Sequence, residues 1–250
     1  MKIDQEIFYS SIAKYYNQIF PLNEKQLEFV QSSLAALDGK KILDIGCSTG
    51  QLAKKLAGLG SQVTGLDLNE KMIALAQKEN HFPDLQFIAG NMLEADSYCD
   101  QSSLDAVLCF GNTLVHLDSI DEIGRFFKVV AKVLKPGGKL LVQILNYDHI
   151  LDQEIDELPL IDGPKISFIR KYDLPESEGE KIIFNTELVI KSTRESLFHA
   201  SRLLPLRKND LHTLLQHFGF ERIKYYANFD KKPFGGHHLP LVLSAERSAS

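Results

Sequence analysis

Two glycines and two aspartates carry the first chemical signal in this chain. Gly46 and Gly50 bracket a turn in KKILDIGCSTG, residues 40–50, directly after a short apolar run. Glycine frees the backbone to bend sharply and approach a ligand closely. Asp44 stands just before the turn, and Asp67 ends the next apolar run, QVTGLDL. An acidic side chain about two dozen residues after the first strand can accept hydrogen bonds from ribose hydroxyls. A helical pattern, QLAKKLAGLG, follows the turn, and helix N-termini present unpaired N–H groups to anions. Together these residues point to a nucleotide-type cofactor site.

Three other chemistries compete for the same turn. The dinucleotide fingerprint G-x-G-x-x-G needs a second glycine against a pyrophosphate, and Ser48 holds that position. A Walker A loop needs a Lys-Ser/Thr pair after its last glycine, and none follows Gly50. GCSTG does satisfy G-x-S-x-G, the hydrolase nucleophile elbow, and the strand–turn–helix context suits it. That reading leaves Asp44 and Asp67 unexplained. The turn as a mere connector is the remaining alternative.

A second reactive stretch is CFGNTLVHL, residues 109–117. Asn112 follows a glycine at a strand's C-terminal end, where open parallel sheets bind ligands. His116 is the side chain there that titrates near neutral pH. Arg170 carries a planar fork suited to a carboxylate, with a solvated charge as the alternative. Tyr9, Tyr15 and Tyr16 are spaced to close over a ligand or simply to pack. Asp230, His237 and His238 lack any recognised metal spacing.

The elements that must position these residues alternate. Residues 1–37 read as helix, break at Pro21, and a second helix with Asn23 as N-cap and Gly39 beyond its end. Strands follow at LQFIAG (85–90), LDAVLCFG (ending at Gly111) and KLLVQIL (139–145). A helix spans 119–134, and KPGGK forms a turn before the last of these strands. Strands and helices in this rhythm predict a mostly parallel sheet covered on both faces. AVLCF and LLVQIL are continuous apolar runs, as strands buried on both faces require.

After Tyr147 the rhythm changes. Residues 150–165 read as loop or broken helix, and ISFIRKYDL and KIIFNTELVIKS as strands around a polar turn. ESLFHASRLLPL reads as a third strand or an irregular segment. A helix at KNDLHTLLQHFGF and two strands close the chain. The expected organisation is a helical cap (1–37), a core (38–147 and 206–250) and an insertion (148–205) forming part of a substrate lid.

Composition narrows the partners. In 250 residues, 28 basic side chains face 33 acidic ones, a net charge of −5 that argues against nucleic acid. No apolar run nears the ~20 residues of a membrane span, and MKIDQEIFYSS lacks the apolar stretch of a secretory signal. Three cysteines without zinc or disulfide spacing suggest reduced thiols and a cytoplasmic setting. A homo-oligomer is left open.

ILDIGCSTG followed by Asp67 resembles the first two cofactor motifs of class I S-adenosylmethionine-dependent methyltransferases, and KVLKPGGKLLVQI resembles that family's turn into strand 5. The resemblance covers about 38–146 and resumes at 208–246. It implies an α/β, Rossmann-like seven-stranded mostly parallel sheet of order 3-2-1-4-5-7-6. Strand 7 would be antiparallel, helices would cover both faces, and a small antiparallel insertion would follow strand 5. It also implies S-adenosylmethionine as cofactor, S-adenosylhomocysteine as product and no metal.

Carried onto this sequence, the turn Gly46, Cys47, Ser48 and Gly50 would hold the methionyl carboxylate, and Asp44 the amino group. Asp67 would take the ribose. Leu68 and Met72 would cover one adenine face, and Met92 and Leu93 the other. Asn91 stands where the family often has an aspartate for the adenine amino group. Phe110 would border the cofactor, and Tyr16 would close over it.

CFGNTLVHL is similar to the CLGNSFAHL-type stretch of glycine N-methyltransferase and its glycine/sarcosine relatives, and NYDHIL at 146–151 resembles a segment there. Asn112 would then help orient a small substrate and His116 would line the cofactor pocket; Tyr147, Asp148 and His116 are candidates for polarising the nucleophile. LLP at 203–205 replaces that group's YYP, and tryptophan is absent, so the acceptor is left open. The expected reaction is in-line methyl transfer to a nitrogen or oxygen of a small molecule. A non-catalytic module binding S-adenosylmethionine or a nucleoside is the alternative, and an NAD-dependent oxidoreductase the second alternative.

Overall fold

The computed structural model describes residues 8–78, 80–177 and 179–249. Five strands come first: β1 (Lys41–Ile45), β2 (Gln62–Asp67), β3 (Leu85–Ala89), β4 (Leu104–Cys109) and β5 (Leu134–Leu145). Their central residues are shielded on both faces; Ile42, Leu43, Val107, Leu108, Leu140 and Leu141 are at most 1% exposed. Such strands need helices on either side. Here α2 (Glu24–Leu34) and α3 (Gln51–Gly58), introduced after the short α1 (Tyr16–Ile19), pack one face with α4 (Glu70–Lys78). The other face is covered by α5 (Ile120–Val133). Helix α5 buries Ile123, Phe126, Phe127, Val130 and Val133 along one stripe. Its N-terminus is capped by Ser119, whose Oγ accepts from the Glu122 N–H at 3.2 Å.

After β5 come α6 (Tyr147–Asp152) and an insertion of four strands: β6 (Ile161–Asp162), β7 (Ile166–Asp173), β8 (Ile182–Ile190) and β9 (Glu195–Leu203). They form a separate antiparallel sheet in sequential order. Helix α7 (Lys208–His217) returns the chain to the core, where β10 (Phe220–Tyr226) and β11 (Pro240–Arg247) complete the main sheet. Its order is β3-β2-β1-β4-β5-β11-β10, with β11 antiparallel to both neighbours. This is the expected 3-2-1-4-5-7-6 arrangement, with β10 and β11 as its sixth and seventh strands.

Local differences have local causes. Asn23 does cap α2, its Oδ1 accepting from the Lys25 N–H at 3.0 Å. The helix stops at Leu34 rather than near Gly39, because Ala35 takes a left-handed turn (φ +64°) and donates its N–H to the Gln31 carbonyl. The KPGG turn lies inside the bounds of β5, as a register jump between the pairs Leu104–Leu134 and Ala106–Lys139. The stretch 195–203 is a full strand, paired with β8 along its length.

The start of the described chain lies between the two sheets. Phe8, Ile12 and Ile19 are buried against Ile166, Phe168 and Leu188 of the insertion. Phe8 also stacks on His199, with ring centroids 4.5 Å apart. On its other side this segment reaches the core, where the Thr49 hydroxyl donates to Asn17 Oδ1 at 2.5 Å and Asn69 Nδ2 donates to Ser10 Oγ at 3.0 Å. The insertion is tied down through the Leu204 N–H to the Val115 carbonyl (2.8 Å) and Lys181 to Asp118 (2.5 Å). A roof of helix and sheet thus covers the C-terminal ends of the parallel strands.

Candidate active site

The β1–α3 turn is shaped by close contacts as much as by backbone freedom. Gly46 and Gly50 have φ of +71° and +75°, a region costly for residues with a Cβ. A Cβ on Gly46 would fall on the Thr113 side chain, and one on Gly50 on the Phe87 ring. Within the turn, the N–H groups of Gly46 and Cys47 both donate to the Leu66 carbonyl. The Ser48 N–H donates to Asp67 Oδ2 at 2.9 Å, and the Gly50 N–H to the Cys47 carbonyl. These four are therefore already engaged, and an anion at the turn must share or displace them.

Asp67 ties the turn to β2. Its second oxygen accepts from the Asn69 N–H at 2.9 Å, so both oxygens are oriented while each keeps a lone pair for a ligand hydroxyl. Burial raises its carboxyl above the usual range, and the two N–H bonds oppose this. Asp44, 5% exposed beneath the turn, is pushed up to about 7 by burial and then by the Asp67 charge. A cation placed between these carboxylates would relieve both effects.

A cleft of about 460 Å³ opens from this turn along β2 and β3, within the size range of small-molecule sites. Leu68, Met72, Met92 and Leu93 line it, and Leu68 is 41% exposed. These apolar surfaces suit the faces of a flat base. Asn91 lines the cleft too, but its Oδ1 already accepts from the Leu93 N–H at 3.0 Å, capping the turn that follows. Its amide can still offer Nδ2 donors, which an aspartate would not.

A second cavity of about 550 Å³ lies on the other side of the turn, toward β5, the insertion and the β10–β11 loop. The two share Tyr9, Tyr16, Gly46, Ser48, Phe110 and His116 on their walls, as well as Gly111. His116 Nε2 lies 3.3 Å from the Tyr9 hydroxyl. Burial first, and His199 second, push the imidazole down to about 4, so it is neutral at pH 7. Tyr16 packs beside Tyr9, and burial pushes its hydroxyl up to about 12. Tyr15 lines neither cavity.

Three expected site residues stand differently from their sequence reading. The Tyr147 side chain is fully buried and lines neither cavity. It stands behind Asn112, its hydroxyl accepting from Asn112 Nδ2 at 2.9 Å. Its ring, just beyond the end of β5, is drawn into the core, so its hydroxyl meets Asn112 and not a cavity. Asn112 lines the second cavity in a left-handed conformation (φ +65°) and spends Oδ1 on the Leu145 N–H. One Nδ2 hydrogen remains for a substrate. Cys47 is 6% exposed, its sulfur set among Phe87 and Gly65 in the core, so only its backbone can serve a ligand.

Other lining residues escaped the sequence reading. Ile183, Ala200 and Ser201 reach the first cleft from β8 and β9, and Tyr172 and Phe229 reach the second cavity from β7 and the β10–β11 loop. They lie far from the glycine turn in sequence and belong to no motif. Polar residues on an otherwise apolar strand face, the half-buried Arg170 and the buried Tyr172, were the available signal. Among the described residues no cluster of three or more His, Cys, Asp or Glu could hold a metal ion.

Residues 42–138 match the family described as Methyltransferase domain. A protein of Geobacillus sp. (strain WCH70) named as a methyltransferase is 35% identical over 159 residues, which is 59% of this chain and 62% of the relative. The ubiquinone biosynthesis O-methyltransferase of Idiomarina loihiensis is 34% identical over 137 residues, 52% of this chain and 53% of the relative. The chain thus spans between half and two thirds of the length of these relatives. An S-adenosylmethionine-dependent methyltransferase from Clostridium acetobutylicum ATCC 824 superposes with a TM-score of 0.80 at 15% identity, over 96% of this chain and 99% of that one. The CcbJ methyltransferase from Streptomyces caelestis does so with a TM-score of 0.80 at 21% identity, covering 95% and 96%. Residues 42–138 are thus similar to a methyltransferase domain, and the two solved structures share the fold of this chain.

Proposed function

We propose that this chain transfers the methyl group of S-adenosylmethionine to a nitrogen or oxygen nucleophile of a small molecule. The observation that carries the reading is the meeting of two cavities at one set of walls. A ligand in the β2–β3 cleft and a second in the cavity toward β5 would face each other across Tyr9, Tyr16, Phe110 and His116. The residues present suit the cofactor: carboxylates at Asp44 and Asp67 for its cationic and ribose parts, and apolar faces at Leu68, Met72, Met92 and Leu93 for its base. When bound, it supplies a methyl group on a sulfonium leaving group.

The protein's own contribution is then positional. Rate comes from holding the nucleophile in line with the methyl carbon and excluding water, which the roof of helix and insertion sheet does. Tyrosine ring faces attract a cation, so Tyr9 and Tyr16 favour the sulfonium end of the cleft. The neutral His116 is a weak base at about 4. It accepts a hydrogen bond better than a proton, which favours an amine or an acidic hydroxyl over an alcohol. Asn112, held by Tyr147, supplies a donor beside it. We place the reaction in the cytoplasm, without nucleic acid or membrane partners. The net charge of −5 and the unpaired Cys47, Cys99 and Cys109 support this. No helix among the described residues is long and apolar enough to cross a membrane.

The test incubates the protein with S-adenosylmethionine and pooled small amines, amino acids and phenols, followed by mass spectrometry. A product heavier by one methylene together with S-adenosylhomocysteine is expected. Binding of S-adenosylhomocysteine without any product would favour the non-catalytic module, and reduction of NAD by the pool would overturn both.

A further inference from the structure

Strand β7 buries Ile166, Phe168 and Tyr172 on one face, each at most 4% exposed. Arg170 falls on that same face, by the two-residue period of a strand. Arg170 is half-buried there, and a guanidinium nitrogen withdrawn from water is unfavourable unless it is hydrogen-bonded. Yet the carbonyl of Pro159, 2.7 Å from Nη2, is the only acceptor it finds among the described residues, and Nε is buried with none. Among the described residues no carboxylate forms an ion pair with it. Two residues on, the Tyr172 hydroxyl is likewise buried without a hydrogen-bond partner. Both side chains line the second cavity.

That wall is rich in donors and poor in acceptors. The carboxylates lining this cavity are committed elsewhere: Asp230 pairs with Lys25 at 3.1 Å, and Asp44 lies beneath the glycine turn. The strand that carries the donors is fixed on both edges. It pairs with β8 throughout, while Leu158 N–H donates to the Arg170 carbonyl and Tyr172 N–H to the Asp156 carbonyl. The donors are therefore held in place before any ligand arrives.

We propose that Arg170 and Tyr172 form a recognition site for the carboxylate of the methyl acceptor, which makes that acceptor a small carboxylic acid. Charge-assisted bonds from a guanidinium and a phenol to the two oxygens are the strong kind. With its acid end held on β7, the acceptor extends past Asn112 toward the junction at Phe110 and His116. The inference rests on the methyl-transfer reading and names its substrate class.

The experiment uses the full chain saturated with S-adenosylhomocysteine and titrates matched acid and amide probes by calorimetry: propionate against propionamide, and 3-phenylpropionate against 3-phenylpropionamide. Each acid is expected to bind at least about tenfold tighter than its amide. Arg170→Gln should abolish that preference and leave amide affinity unchanged. Arg170→Lys should restore part of it, and Tyr172→Phe should weaken it. Equal binding of acid and amide by the wild type, no binding of either acid at millimolar concentration, or a preference that survives in Arg170→Gln would each overturn the proposal. S-adenosylhomocysteine binding is measured separately for every protein. It reports folding of the variants, and its failure in the wild type would count against the methyl-transfer reading itself.

Discussion

Asp67 joins binding to local structure because its two oxygens hold the N–H groups of Ser48 and Asn69 at 2.9 Å. Hydrogen bonds to a charged group contribute about 1.5–3 kcal/mol each. Asp67→Asn keeps one acceptor but loses the charge. It should lower affinity for S-adenosylhomocysteine roughly ten- to a hundredfold, as calorimetry would show. Undiminished affinity would remove Asp67 from the site. Asp44 and His116 make opposite contributions to pH dependence. Asp44 is raised to about 7 in the folded chain, so its contribution to stability is fully present below its unfolded value near ~4 and lost as pH rises through 7. His116 is depressed to about 4, so its contribution is present above ~6.5 and lost as pH falls through 4. The unliganded Asp44→Asn protein should therefore exceed the wild type in stability near pH 8 by about 2 kcal/mol, with the advantage gone near pH 4. His116→Gln should flatten the acid limb instead. Urea titrations of the three proteins across pH 4 to 8 separate the two groups, and parallel profiles would contradict both assignments.

At the scale of elements, the β1–α3 turn was legible because its requirements are local. Glycine at 46 and 50 and an acid ending the next strand follow from geometry that neighbouring residues impose. What the sequence concealed was the distant partner: Gly46 must also admit Thr113, 67 positions further on. Gly46→Ala therefore carries two penalties, about 1–2 kcal/mol for its positive φ and about 1–3 for overpacking. Adding Thr113→Ala should return part of the second and none of the first. A double-mutant cycle by urea unfolding would show that coupling, and strictly additive losses would refute it. The same logic explains side chains that face away from the cavities. Tyr147 and Cys47 sit next to site residues in sequence, but the pleat and the turn send their side chains into the core. Asn91 reads as a base contact, and its oxygen also serves a local cap, which leaves one lone pair for a ligand. The alternation of strands and helices made the mostly parallel sheet readable, whereas its strand order was implied only by the family resemblance. The insertion's contribution was not readable, because Ile183, Ala200 and Tyr172 reach the cavities only through folding of a second sheet.

At the scale of the whole molecule, the two cavities exist because three parts of the chain close over the strand ends. Among the described residues, the bridges across that closure include Phe8 on His199, Tyr9 to His116, Ser10 to Asn69, Asn17 to Thr49, Leu204 to Val115, and Lys181 to Asp118. A ligand held beneath such a roof cannot leave by the route it would occupy when bound unless some of these bridges part. Segments held by few contacts open at lower free energy than the core they cover. The amides of residues 8–20 and of β7–β9 should therefore exchange hydrogen faster than those of β1 and β4 in the free protein. S-adenosylhomocysteine should slow them, because in the proposed site it would contact the roof as well as the sheet. Lys181→Met removes one bridge; Lys181 lines neither cavity, although its partner Asp118 lines the first cleft. The substitution should raise the ligand's dissociation rate several-fold while changing global stability by no more than about 1 kcal/mol, since a half-exposed ion pair contributes little to folding. Stopped-flow dissociation and hydrogen exchange on the same two proteins test the point together. Uniform protection across roof and core, with an unchanged dissociation rate in Lys181→Met, would mean that the roof is as rigid as the sheet and that ligands enter by another path.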